Sequence, residues 1–341
     1  MATYKEIVGK SIKFLATDPT NESLGQIWYN TVSNTFKTTY NPAAWAAGGL
    51  LTTARDGMGT AKQATISSNL IFGGSSTNPG TTRDLCESYN GSSWTAENVM
   101  TTARQNVDGA GTQTAALSFG GTTGPPNTPS NVTNSYDGTN WTAVNAMGTA
   151  GYTEGSSGAG TQGAALVFGR QSWPPAASPQ ATEEWDGTNW AVSPGSMNTP
   201  RGGGSGTGLQ TAALAFGGTG YPPGTFVMTI TESYDGSTWT SENNMNTARR
   251  RAAGGGQVGA AVAFGGLVPG PAATTSTETF DGTSWTAASA LGTGRYFLGG
   301  DGATATDSMA TGGLTSGTAT SYTNITEEYA QADVVKTITT S

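Results

Sequence analysis

The 341-residue sequence predicts an all-β fold in which six copies of a four-stranded unit close into a ring. Three observations predict it. Only 11% of residues are charged and Gly numbers 51, while Ser, Thr, Asn and Ala dominate, a mixture too poor in Leu and Lys for helices. Tryptophan recurs at 45, 94, 141, 190, 239 and 285, at intervals of 46 to 49 residues. Between successive Trp the same words return in the same order, which marks a repeated unit of architecture.

Each unit begins with "MxTAR" or a variant and passes into a Gly-rich stretch such as "GAGTQ", the expected inner strand. The next word, "TAALAFGG", alternates as a strand does: Leu214 and Phe216 point to one side, Ala213 and Ala215 to the other. Leu117/Phe119, Leu166/Phe168 and Val262/Phe264 repeat the arrangement. One bulky face and one small face suit sheets stacked with no helix between them. Gly doublets at 73/74, 120/121, 217/218, 265/266 and 312/313 end this strand at a sharp turn, and in the third unit the second Gly is Arg170. A variable loop follows, then "TESYDG" and the next Trp. Asp-Gly is a hairpin dipeptide, so "SYDG-xx-W" reads as strand, two-residue turn, strand. Four short strands at this period are the signature of a β-propeller.

The strand at Trp45 precedes any inner strand, and "TEEYAQ" in the last unit lacks a Trp of its own. The N-terminal strand is therefore expected to complete the last unit and close the ring; "VVKTITTS" at the C-terminus is the alternative closing strand. The expected organisation is residues 1–42 as an anchoring hairpin segment, 43–330 as the ring and 331–341 as a terminal strand or tail. An Arg recurs after each Trp (Arg55, Arg104, Arg201, Arg249, Arg295) and a Glu before each turn (Glu87, Glu183, Glu232, Glu278, Glu327). Asn134 replaces the one missing Glu and Gly151 the missing Arg, directly after it. That coincidence predicts ion pairs between units, each Glu joined to the Arg of the next, with Glu327 reaching Arg55 across the seam.

A Gly doublet, then a Tyr, then a Trp about six residues on resembles the kelch repeat, over roughly residues 43–330 in all six units. The resemblance implies a six-bladed kelch-like propeller and no particular activity, because such propellers serve as enzymes, adaptors and binding modules. Ahead of it, "GQIWYNTVSNTFK" reads as a hairpin around "VSNT". Its wording is similar to short segments of tail-fibre and other virion proteins of bacteriophages, especially marine ones. That likeness implies a virion protein docked on other virion proteins through residues 1–42, tail fibre or capsid decoration, made in the host cytoplasm and displayed outside.

The chemistry available is narrow. The chain has no histidine, which removes Ser–His and Cys–His catalysis, His-ligated metals and the commonest general base near neutral pH. "SYDGTNW" at 135–141 resembles the Asp-box of sialidases but is one residue short between Asp and Gly. Asp137, Asp186, Asp235 and Asp281 each stand alone in a turn, where calcium would want six or more oxygens gathered together. No enzyme activity, cofactor or metal is expected. Cys86 stands where other units have Thr and reads as a small core residue. The net charge of −8, with "RRR" at 249–251 the one basic run, argues against nucleic acid; that run reads as a repeat Arg with two exposed neighbours. No apolar run is long enough to insert in a membrane, and "MATYKEIVGKSIKF" shows no secretory pattern.

What varies between units is the loop after the Gly doublet. These six loops fall on one face, are stiffened by Pro and carry Trp173, Tyr221, Phe226 and Tyr322 as candidate contact residues for a host-surface glycan or protein. The alternative is a carbohydrate-binding or glycan-processing, sialidase-like propeller that belongs to no particle.

Overall fold

A computed structural model describes residues 12–19, 26–40, 42–76, 81–152, 157–170, 180–220, 226–315, 321–331 and 334–337. Among these residues the structure is all-β, without a helix. The chain forms two compact units: Trp45–Ala330, and Met1–Ala44 together with Gln331–Ser341.

In the larger unit, six four-stranded antiparallel sheets follow one another among the described residues, an architecture compatible with a propeller. The second sheet shows the pattern. Asp108–Thr112 is the Gly-rich first strand, Ala115–Phe119 the apolar second, Thr133–Tyr136 the third and Trp141–Val144 the fourth. The sixth sheet departs from it: Gly299–Thr304, Asp307–Thr311 and Thr326–Gln331 are followed in space by Ala43–Ala47, from the other end of the sequence. The C-terminal strand Val334–Thr337 pairs instead with Thr35–Tyr40. First strands of successive sheets lie side by side, and that of the sixth, Gly299–Thr304, lies beside that of the first, Gly59–Thr60.

The first strands are Gly-rich because another sheet's ring lies on them. A Cβ on Gly206 would come within 2.4 Å of the Phe168 ring, and one on Gly254 within 2.5 Å of Phe216. The same phenylalanines meet the next sheet's Trp edge-on: Phe168–Trp239 at 4.9 Å and Phe216–Trp285 at 5.3 Å between centroids. Phe264 meets Trp45 in the same way at 4.8 Å. Such pairs contribute about 0.5–1.5 kcal/mol each beyond the area they bury.

Trp indoles bind the sheets as well as fill them. Trp190, Trp239 and Trp285 donate Nε1–H to Thr133, Thr182 and Thr231, at or just before the start of the third strand of the preceding sheet, each at 2.9 Å. Trp94 does so to Thr326 and Trp45 to Thr277, so the same bond joins the first sheet to the sixth and the sixth to the fifth. The first–sixth junction is reinforced near the first strands. Thr60 Oγ1 and Lys62 Nζ donate to the Gly300 carbonyl, and Asn69 Nδ2 to Asp301 Oδ1 at 2.6 Å. Burial holds the Lys62 ammonium below its ordinary pKa and pushes the Asp301 carboxyl up to about 7.

The smaller unit is one sheet of Lys13–Leu15, Ile27–Asn30, Thr35–Tyr40 and Val334–Thr337. Its hairpin turns at residues 31–34, with Asn30 opposite Thr35. Trp28, Asn30 and Lys37 all donate to the Asp18 carboxylate, and Lys37, the strongest of them, holds it below its usual pKa.

Candidate binding loops and their frame

The recurrent Arg and Glu are buried and paired, with partners one unit away from those the spacing suggested. Among the described residues four of the five Arg join the Glu that follows them: Arg55 pairs with Glu87, Arg201 with Glu232 at 2.6 Å, Arg249 with Glu278 at 2.6 Å, and Arg295 with Glu327 at 2.9 Å. The expected pairs Glu87–Arg104, Glu183–Arg201, Glu232–Arg249, Glu278–Arg295 and Glu327–Arg55 are corrected accordingly. The reason is where the Arg sits. It lies on the connector entering a sheet, so its guanidinium reaches the third strand of that same sheet.

The link between sheets runs instead through the main chain of these arginines. The carbonyls of Arg104, Arg249, Arg295 and Arg55 accept from Gly74, Gly218, Gly266 and Gly313, the second glycines of the preceding sheets. Gly218 holds φ at +109°, a backbone conformation in which a side chain is strained. Each Glu is further satisfied by backbone donors, as Glu232 is by the N–H groups of Asn198 and Thr199. A buried pair with its remaining lone pairs satisfied tolerates desolvation; removal of one partner from such a pair costs about 3–5 kcal/mol.

The two exceptions are now separate. Arg104, facing Asn134, donates to its Oδ1, to Ser118 and to the carbonyls of Gly120 and Val132. Glu183, whose connector has Gly151 in place of Arg, is paired by Arg170, the residue that replaces the second Gly of its own sheet. The sequence displayed that substitution openly. What it did not display is that the end of the second strand lies within guanidinium reach of the third.

The acidic turns hold their own backbone. Tyr136 pairs with Trp141, so the connection is four residues, Asp137 to Asn140, in place of the two-residue turn expected. The Asp137 carboxylate accepts the N–H groups of Thr139 and Asn140, an arrangement that needs the longer loop. Asp186, Asp235 and Asp281 do the same, and Asn90 repeats it without a charge. No group of three or more His, Cys, Asp or Glu is placed to hold a metal among the described residues.

Of the candidate contact residues, Trp173 and Tyr221 lie outside the described residues. Tyr322 is half-buried rather than displayed. It bridges to Leu314 and packs on the cluster of Leu267, Tyr296 and Leu314, with its hydroxyl 3.5 Å from Ser75 Oγ. Phe226 is 61% exposed. It stands at a cleft of about 380 Å³ between the fourth sheet's loop and the fifth's, lined also by Thr219, Arg250, Val268, Pro269 and Pro271.

Arg250 and Arg251 were expected to be exposed. Both are half-buried, and the Arg251 guanidinium lies 4.3 Å above the Phe297 ring. Arg250 exchanges two backbone hydrogen bonds with Leu267, which places it at the cleft. Nothing in the "RRR" run itself distinguishes Arg250; its position follows from pairing across two units. No protein-family model matches this chain, and no curated protein matches it significantly.

Proposed function

We propose that residues 43–330 form a six-bladed kelch-like β-propeller, closed by the Trp45 strand, that serves as a non-enzymatic attachment module of a bacteriophage particle. The cyclic order of first strands and the Trp–Thr bonds joining the first sheet to the sixth and the sixth to the fifth support the ring. One observation carries the attachment reading. The residues that recur in every unit are spent on burial and on holding sheets together, whereas the loops that differ carry the exposed Phe226 and the cleft beside it. A rigid frame presenting variable, Pro-stiffened loops is suited to contact at low ordering cost.

In this reading residues 1–42 dock on other virion proteins, and the loops meet a host-surface glycan or protein. The "GQIWYNTVSNTFK" wording favours a particle over a free glycan-binding propeller. The test is gold-labelled antibody against the propeller loops, imaged on particles purified from the source. Label at tail tips or over the shell is the expected result, the first indicating receptor binding and the second decoration. Particles without label would discard the reading in favour of the free propeller.

A further inference from the structure

We propose that the larger unit forms an internal isopeptide bond, in which the Lys62 amine displaces ammonia from the side-chain amide of Asn69 with Asp301 as the catalytic proton carrier. The proposal is independent of whether the chain belongs to a particle. Residues 45–330 contain a single lysine, Lys62, and it is fully buried, as are Asn69 and Asp301. The repeat makes two of these residues conspicuous. Asn69 pairs with Tyr89, whereas Ala116, Ala213 and Ala261 pair with the matching aromatics of other sheets. Asp301 pairs with Met309, whereas Ala110, Ala159 and Gly255 pair with the matching apolar residues. Polar groups thus stand where other units place small residues, and they do so on the two sides of one junction.

At that junction amine and amide converge on consecutive residues of the sixth sheet. Lys62 Nζ donates to the Gly300 carbonyl at 3.2 Å, and Asn69 Nδ2 donates to Asp301 Oδ1 at 2.6 Å. Lys62 also interacts with the charges of Asp108 and Asp301. As a purely structural residue Asn69 is only half-satisfied, because its Oδ1 is buried without a hydrogen-bond partner. A buried polar atom left in that state is costly, and a catalytic role is one of the few reasons for a protein to keep it.

Burial prepares the reacting groups. It lowers the pKa of the Lys62 ammonium, which favours the neutral amine that acts as nucleophile. It raises the Asp301 carboxyl to about 7, so this group can both give and take a proton, and it lies within hydrogen-bond reach of the leaving nitrogen. In the reaction the Nζ–Cγ bond forms and the Cγ–Nδ2 bond of Asn69 breaks. One Nζ proton passes through Asp301 to Nδ2, which departs as ammonia; nothing is oxidised or reduced and Asp301 is regenerated. The product ties residue 62 to residue 69 across the first hairpin. Such a tie restricts the unfolded chain as a disulfide does, in a protein whose single cysteine, Cys86, leaves no internal disulfide possible.

The experiment is tandem mass spectrometry of the purified full chain, denatured and digested with trypsin. Residues 56–83 are expected as one peptide, uncut after Lys62 and lighter than its sequence by one ammonia, with fragmentation joining Lys62 to Asn69. Asp301→Asn keeps the size of the side chain and removes the titrating proton. That variant is expected to give a peptide cut after Lys62 and of full sequence mass, with circular dichroism unchanged. Cutting after Lys62 in the unaltered chain overturns the proposal, whatever the variant does. A cross-link that forms equally in Asp301→Asn overturns it as well. So does loss of water in place of ammonia with Lys62 joined to Asp301, which would put the bond on the carboxyl.

Discussion

At Trp141 the bond that joins neighbouring sheets is changed by one atom. The position that accepts an indole N–H elsewhere, Thr133, Thr182, Thr231, Thr277 or Thr326, is Cys86 here, so Trp141 Nε1–H faces a sulfur in place of a hydroxyl oxygen and makes at best a weak bond to it. Burial pushes the Cys86 thiol up to about 12, so it stays a neutral, weakly accepting group. Cys86→Thr is therefore expected to stabilise the protein by about 1 kcal/mol in urea unfolding, the worth of one buried hydrogen bond. Cys86→Val, which matches the shape without the hydroxyl, should give no such gain; equal effects of the two would show that packing decides this site. At this scale the sequence was legible in part. The Thr-to-Cys exchange was visible in the alignment of units, but its consequence needed the Trp of the next sheet, 55 residues away, as the partner.

In the second to fifth sheets the third strand ends in an acidic turn whose carboxylate is more comfortable charged in the folded protein than in the unfolded chain. Backbone N–H groups, those of Asn140, Asn189, Thr238 and Ser284 foremost, hold Asp137, Asp186, Asp235 and Asp281 below the ordinary carboxylate range. A group with a lowered folded pKa contributes stability that is complete above its unfolded pKa, about 3.9, and is lost as pH falls through the folded value. The melting temperature should thus fall from about pH 4 downward, and the fourfold Asp→Asn variant should fall less steeply. Asn90 indicates that an amide fits the same turn. Parallel acid profiles for the two proteins would refute the contribution of these turns. The strands themselves were readable from alternation and Gly doublets, whereas turn length was not. Asp-Gly signals a tight hairpin locally, and only the Tyr136–Trp141 register shows that four residues lie between.

For the molecule as a whole, the succession of four-stranded sheets and the order of strands within them were legible because the period repeats the same words. The direction of the Arg–Glu pairs was not, since a period relates positions without saying which neighbour a long side chain reaches. The loops were least legible, because they are the segments that do not repeat. Phe226 stands exposed while Tyr322, similar in sequence setting, packs under its own bridge. The proposed closure of the ring depends on Ala43–Ala47 lying beside Thr326–Gln331, a pairing across nearly the whole chain.

That closure is most directly tested by thermal unfolding of two rearranged chains. One lacks residues 1–47; the other lacks them at its start but carries residues 43–47 after a short turn that follows Gln331. Loss of the strand should abolish a single cooperative transition, because the Trp45 bond to Thr277 and its contacts with Phe264 and Tyr329 go with it. Restoring the strand at the new position should return the transition. Two chains that melt alike would contradict a ring closed by the N-terminal strand.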